Sequence, residues 1–208
     1  MLDFGPEGPV SICPGMWLLR RYADPKALKP VIEAVCGVAA LRRMMTPGGR
    51  QMSVKMSNCG RYGWVSDRSG YRYQPEDPLT SRAWPAMPDV FAELSTEAAA
   101  VAGYTGFIAD ACLINCYEPG TGMTAHQDCN EQDFTQPIVS VSLGIPARFF
   151  VQGAERRGKS IPVDLESGDV VVWGGESRRY YHGVRPLKHN SDIHFGECRY
   201  NLTFRRAY

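Results

Sequence analysis

Residues 137–153 read PIVSVSLGIPARFFVQG. Two alternating apolar runs, 137–144 and 147–153, flank a Gly-Ile-Pro break, the pattern of two short strands joined by a tight corner. Similar runs recur on both sides: ACLINCY (111–117), SIPVDLE (160–166), DVVVWGG (169–175), YYHGV (180–184) and RYNLTFR (199–205). So many short strands with turn residues between them predict a mostly β fold, a sandwich, barrel or jelly roll. Upstream the period changes. Asp24-Pro25 looks like a cap and first helical residue, predicting a helix to about Arg42 with Leu28, Val31, Ile32, Val35 and Val38 on its apolar side. A second helix is expected from Asp89 to Gly103. The fold class is therefore mostly β with flanking helices. Residues 1–15 are expected to be an extended arm, 16–22 a short strand and 51–57 another strand.

Composition limits what the chain does. It has 208 residues, 44% hydrophobic and 22% charged, with net charge +1. That length suits a single domain with a sizeable core. The near-zero net charge gives no global basic field for nucleic acid, although cations crowd the last thirty or so residues. Seven cysteines without a CxxC pair predict reduced, mostly buried thiols rather than a disulfide or zinc framework. No signal peptide or membrane-length apolar run is visible. These features predict a cytoplasmic monomer with no membrane partner.

Two groups of residues point to chemistry. In MTAHQDCNEQD (123–133), His126 and Asp128 lie on the same side of an extended chain. With His182 they make a two-His, one-carboxylate set, which leaves metal positions open and suits Fe(II) with oxygen and a second ligand. Each part alone reads more readily as a hydrogen-bonded core histidine or a solvated loop. In the last run, alternation puts Arg199, Asn201, Thr203 and Arg205 on one face, with Tyr200, Leu202 and Phe204 on the other. Two interior guanidinium groups require an anionic partner. A dicarboxylate ligand fits; so do the protein acids Asp169 or Glu166, or water. Leu113, Asn115 and Tyr117 share one face of the run at 111–117 and offer an amide and a phenol.

Taken together, MTPGGRQMSVKMSNCGRYGW, WPAMP, DACLINCYEPG, HQD, PIVSVSLGIPA, GDVVVWGGESR, YYHGV and CRYNLTFR resemble the AlkB-type Fe(II)/2-oxoglutarate-dependent dioxygenases. The resemblance runs from about residue 43 onward. It implies a double-stranded β-helix (a cupin-like jelly roll) with N-terminal helices and a nucleotide-recognition lid. The implied layout is one domain, with an arm and helix over 1–45, the lid over 46–85, and a helix plus the core over 86–208. It implies Fe(II), 2-oxoglutarate and O2 as cofactors and cosubstrates. His126, Asp128 and His182 match the metal ligands. Asn115, Tyr117, Arg199, Asn201 and Arg205 match the 2-oxoglutarate contacts, Arg199 with Tyr117 at the distal carboxylate and Arg205 toward the metal. Ser140 matches the barrel wall. Trp64, Tyr71, Tyr73 and Arg156 match the substrate side, Met52 and Met56 line the lid, and Lys55, Arg61, Arg156, Arg157 and Lys159 suggest a basic groove.

The implied activity is DNA repair by oxidative demethylation of 1-methyladenine and 3-methylcytosine in single-stranded DNA or RNA. Formaldehyde, succinate and CO2 are the implied products. Asn130 departs from the pattern, which has aspartate there. Loss of that carboxylate predicts a broadened or weakened preference for cationic bases. The competing readings are a dioxygenase of the same architecture acting on modified RNA or a protein side chain, and a non-enzymatic cupin-like binding module. A zinc hydrolase fits less well, since no general base stands beside the set.

Overall fold

The computed structural model describes residues 8–208. Its strands are β1 (Val10–Cys13), β2 (Met16–Leu19), β3 (Lys55–Gly60), β4 (Gly63–Asp67), β5 (Gly70–Gln74), β6 (Glu76–Asp77), β7 (Arg82–Ala83), β8 (Ala111–Tyr117) and β9 (Met123–His126). There follow β10 (Ile138–Gly144), β11 (Ala147–Gly153), β12 (Ile161–Leu165), β13 (Val170–Trp173), β14 (Tyr181–Val184) and β15 (Arg199–Arg205). The helices are α1 (Pro25–Val38) and α2 (Asp89–Val101). The major sheet runs β1-β2-β13-β10-β15-β8-β3 and the minor sheet β12-β11-β14-β9. Strands β8 to β15 thus distribute between two antiparallel sheets in jelly-roll order, as the runs around 137–153 predict.

The alternation in β10 explains the layering. Val139, Val141 and Leu143 face one way, into a core with Leu28, Ile32 and Val35 of α1 and Phe91, Ala98 and Ala99 of α2. Ile138 faces the other way, into the space between the sheets with Leu113, Tyr117, Phe149, Val151 and Trp173. At the β10–β11 corner, Gly144 has φ +89, and a Cβ there would run into the carbonyl oxygen of Cys198. Only glycine meets both demands, so the chain changes sheets there.

Helix α1 begins as expected. The Asp24 carboxylate accepts from the backbone N–H of Lys26 at 2.9 Å, and proline opens the first turn. It stops at Val38 rather than near Arg42, because Arg42 pairs with Met56 through two backbone hydrogen bonds of 3.0 and 2.7 Å. Edge pairing outweighs helix propensity there. The same competition delays β3: Met52 donates to Met44 and Gln51 bridges Met45, so regular pairing to β8 starts only at Lys55. Part of the expected N-terminal arm, residues 1–7, lies outside the described residues, and the remainder forms β1 and its turn into β2. The cysteines divide more evenly than expected: Cys59, Cys112 and Cys116 are buried, and Cys129 is exposed.

Phe204 links the major sheet to α2. It is fully buried and meets Phe91 edge-on at 5.8 Å. Phe204→Ala is expected to destabilise the protein by about 3–5 kcal/mol. A lowered urea midpoint at unchanged slope checks this.

Candidate active site

Strands β9 and β14 pair so that His126 and His182 sit directly opposite, with ring centroids 4.5 Å apart. Asp128 follows just past the end of β9 and turns back toward them. One donor atom from each of the three lies within 4.8 Å of the others. Each imidazole is oriented by its own backbone. Nδ1 of His126 donates to Thr124 O and Nδ1 of His182 to Tyr180 O, both at 2.9 Å. A carbonyl only accepts, so Nδ1 carries the proton and Nε2 is left as a lone-pair donor. The two Nε2 atoms each lie 3.8 Å from an Asp128 carboxylate oxygen. Burial, with His126 alongside, pushes the His182 imidazole down to about 4, so it is unprotonated at neutral pH and its Nε2 lone pair is available to a metal. Burial alone would raise the Asp128 carboxyl, but the Arg205 guanidinium beside it holds it well below the usual carboxylate range. Two imidazoles and one carboxylate form a donor set that suits a divalent ion. Trp173 and Phe149 pack on His182 at 5.1 and 5.8 Å and wall off one side with apolar surface.

The inner face of β15 continues the site, in register with β8: Arg199 opposite Tyr117, Asn201 opposite Asn115, Arg205 opposite Ala111. Arg205 donates to Asp128 Oδ2 at 2.8 Å and lies 3.3 Å from Glu131 Oε1. Protein acids neutralise it, but not the pair suggested by sequence: Asp169 is taken by Arg20 at 2.6 Å. Arg199 differs. It is 2% exposed, stacks over the Tyr117 ring at 4.9 Å and donates to Ser142 Oγ at 2.9 Å. Its Nε and Nη1 have no partner, and no described acid pairs with it. The carbonyl oxygen of Asn115 is likewise buried and unsatisfied. Asn201 lines the same cavity, but its amide is held by Ser140 Oγ and Val141 O at 2.8 and 3.0 Å. These groups share one cavity of about 400 Å³ with the His-Asp-His cluster.

Residues 15–205 match the family model of the 2OG-Fe(II) oxygenase superfamily. The alpha-ketoglutarate-dependent dioxygenase AlkB of Salmonella typhimurium is 50% identical over the whole of this chain and 98% of that protein. AlkB of Escherichia coli is 51% identical over 93% of this chain and 90% of its own length. The chain belongs to the AlkB family of 2OG-Fe(II) oxygenases. A solved relative, OsALKBH1, superposes with a TM-score of 0.82 at 25% identity over 95% of this chain and 99% of its own. As an AlkB-type dioxygenase the protein uses Fe(II), 2-oxoglutarate and O2.

The residues present fit those groups. The lone-pair nitrogens and the carboxylate suit iron. The unpartnered Arg199 donors, beside the Tyr117 ring, suit one end of a dicarboxylate. The stretch 46–85, where the resemblance implies a lid, contains the β4–β5 hairpin. Trp64 and Tyr71 stack at 5.5 Å and line the cavity, as do Met52, Met56, Asn130 and Arg156. Tyr73 also reaches the cavity but is buried, and its hydroxyl donates to Glu131 Oε1 at 2.6 Å. It braces the loop rather than offering a free face. The basic groove is only partly as expected: Lys55 is paired with Glu118 at 2.7 Å, Arg61 lies over Tyr62, and Arg157 and Lys159 are not in the cavity wall.

Sequence reading misses two residues here, Glu131 and Arg178. Both are buried. Arg178 donates to Asp128 O, Gln136 O and Glu131 Oε2 at 2.9, 2.9 and 3.1 Å. They tie Tyr73 of β5, the loop after β9 and Arg205 of β15 into one polar network. A glutamate in a polar loop and an arginine in a short 3-10 turn carry no periodic signal that marks them.

Proposed function

We propose that this dioxygenase oxidatively demethylates N-alkylated bases in single-stranded DNA, and in RNA, with 1-methyladenine and 3-methylcytosine within its range. The observation that carries this reading is the stacked Trp64–Tyr71 pair, which shares a cavity with the metal-ligand cluster. A flat aromatic lid beside an oxidising centre suits a base lifted out of its stack. Lifting costs a few kcal/mol, least in single strands, and each base–aromatic stack returns about 1–3 kcal/mol.

In this reading His126, Asp128 and His182 hold the iron, while Arg199, Tyr117 and Asn115 seat 2-oxoglutarate. Arg205 keeps Asp128 ionised and aimed. Iron with 2-oxoglutarate and O2 supplies the oxidation, in which the cosubstrate becomes succinate and CO2 and the hydroxylated N-methyl carbon leaves as formaldehyde. The protein supplies no acid–base pair for this step. Trp64 and Tyr71 stack the base, and Trp173, Phe149 and Met56 keep water from the reacting methyl group. Arg156 reaches the rim, where the phosphodiester chain enters, so binding weakens with salt. No helix among the described residues is long and apolar enough to cross a membrane. We take the working species to be a cytoplasmic monomer.

The test is anaerobic loading with Fe(II) and 2-oxoglutarate, addition of a methylated single-stranded oligonucleotide, then air. Formaldehyde and succinate released in equal amounts with restoration of the base are the expected result. Succinate without base repair, or repair only of another substrate class, would transfer the assignment to a dioxygenase of different specificity.

A further inference from the structure

Asn130 stands two residues beyond Asp128, at the exposed side of the cavity. Its side-chain oxygen accepts from the Trp64 indole nitrogen at 3.1 Å. An indole N–H only donates, so the amide atom facing Trp64 is the carbonyl oxygen. The amide NH2 is thereby turned away from Trp64 and makes no hydrogen bond with any described residue. The carboxylates nearby are already engaged: Asp128 by Arg205, and Glu131 by Tyr73, Arg178 and Arg205. Arg156 lines the same cavity, and among the described residues no acid pairs with it. Beside the lid the protein therefore offers a fixed donor and an unneutralised cation, and no free carboxylate.

Beside its methylated nitrogen, at C6 of a purine or C4 of a pyrimidine, an N-methylated base carries either an amino group or a carbonyl. In 1-methyladenine and 3-methylcytosine it is an amino donor on a cationic ring. In 1-methylguanine and 3-methylthymine it is a carbonyl acceptor on a neutral ring. An amino group facing the Asn130 NH2 sets donor against donor and brings a cation into the cavity that Arg156 also lines. A carbonyl completes the hydrogen bond.

We propose that Asn130, oriented by Trp64, faces the C6 or C4 substituent of the base and selects for neutral N-methylated bases that carry a carbonyl there. This rests on the demethylase reading and names its preferred substrate class. Trp64 then has two roles, stacking the base and setting the polarity of the group that reads its edge.

The test uses four single-stranded oligonucleotides identical except for the lesion: 1-methylguanine, 3-methylthymine, 1-methyladenine and 3-methylcytosine. Both kcat/KM and binding to the metal-free protein, by fluorescence anisotropy, are measured for wild type, Asn130→Asp and Trp64→Phe. Wild type is expected to handle the neutral pair at least as well as the cationic pair. In Asn130→Asp the neutral-to-cationic ratio is expected to fall about tenfold in both readouts, because the donor becomes a charged acceptor. Trp64→Phe keeps an aromatic face but loses the orienting N–H, and the ratio falls in the same direction. A wild-type preference for the cationic pair, or ratios within twofold of each other in wild type and Asn130→Asp, overturns the proposal while leaving demethylation intact. Turnover of none of the four lesions removes the demethylase reading and this inference together.

Discussion

Asp128→Ala is expected to abolish turnover and to weaken Fe(II) binding by more than about 100-fold, beyond the 10–100-fold typical of groups that only orient a ligand. Two consequences combine. The cluster loses its one anionic donor to a dication. Arg205, 8% exposed at its side chain, also loses its 2.8 Å partner. Breaking a buried pair from one side costs about 3–5 kcal/mol, so the metal-free variant should also melt earlier. Asp128→Asn separates the two effects. It keeps the shape and a carbonyl acceptor for Arg205, so it recovers part of the stability and little of the iron affinity. Equilibrium dialysis against Fe(II) with thermal unfolding of both variants reads this directly. Iron affinity in Asp128→Ala within a few-fold of wild type would remove Asp128 from the ligand set.

Arg199→Met makes the opposite prediction for stability. Arg199 is a buried cation without a carboxylate partner, so an apolar side chain of similar length relieves the folded, ligand-free protein of an unmatched charge. The ligand-free melting temperature is expected to stay level or rise. Binding of 2-oxoglutarate should collapse, with its apparent KM up by about 100-fold, in line with the 2–5 kcal/mol lost when one side of a buried charge pair is cut away. The stabilisation that 2-oxoglutarate gives wild type should disappear in parallel. A destabilised variant that still binds the cosubstrate normally would make Arg199 a structural residue. Arg205→Met, by contrast, strands Asp128 and Glu131 and should lose stability outright.

Strands whose side chains alternate against a large apolar surface were legible from sequence. The bounds of β8, β11 and β15 match the runs read at 111–117, 147–153 and 199–205. The inward face of β15 followed from period two alone. Strand β9 was not legible, because Met123–His126 is short and polar and owes its conformation to pairing with β14. The ligand residues were visible as types at a spacing, but their convergence depends on the His126–His182 register, which only the folded sheets supply. The division of labour between the two arginines was also hidden. Alternation puts both inside, whereas the presence of Asp128 beside one and of no acid beside the other is a matter of tertiary placement. Asn130 stood out as a departure from the family pattern, yet its bond to Trp64 spans 66 residues and had no local signature.

Anaerobic titration of the metal-free protein with Fe(II) and 2-oxoglutarate, followed by visible absorption, tests the central claim most directly. A charge-transfer band should appear only when iron, cosubstrate and protein are all present, and saturate at one iron and one 2-oxoglutarate per chain. It should be lost in Asp128→Ala and, at the same cosubstrate concentration, in Arg199→Met. A band of undiminished strength in either variant, or none in wild type, would contradict the site described here.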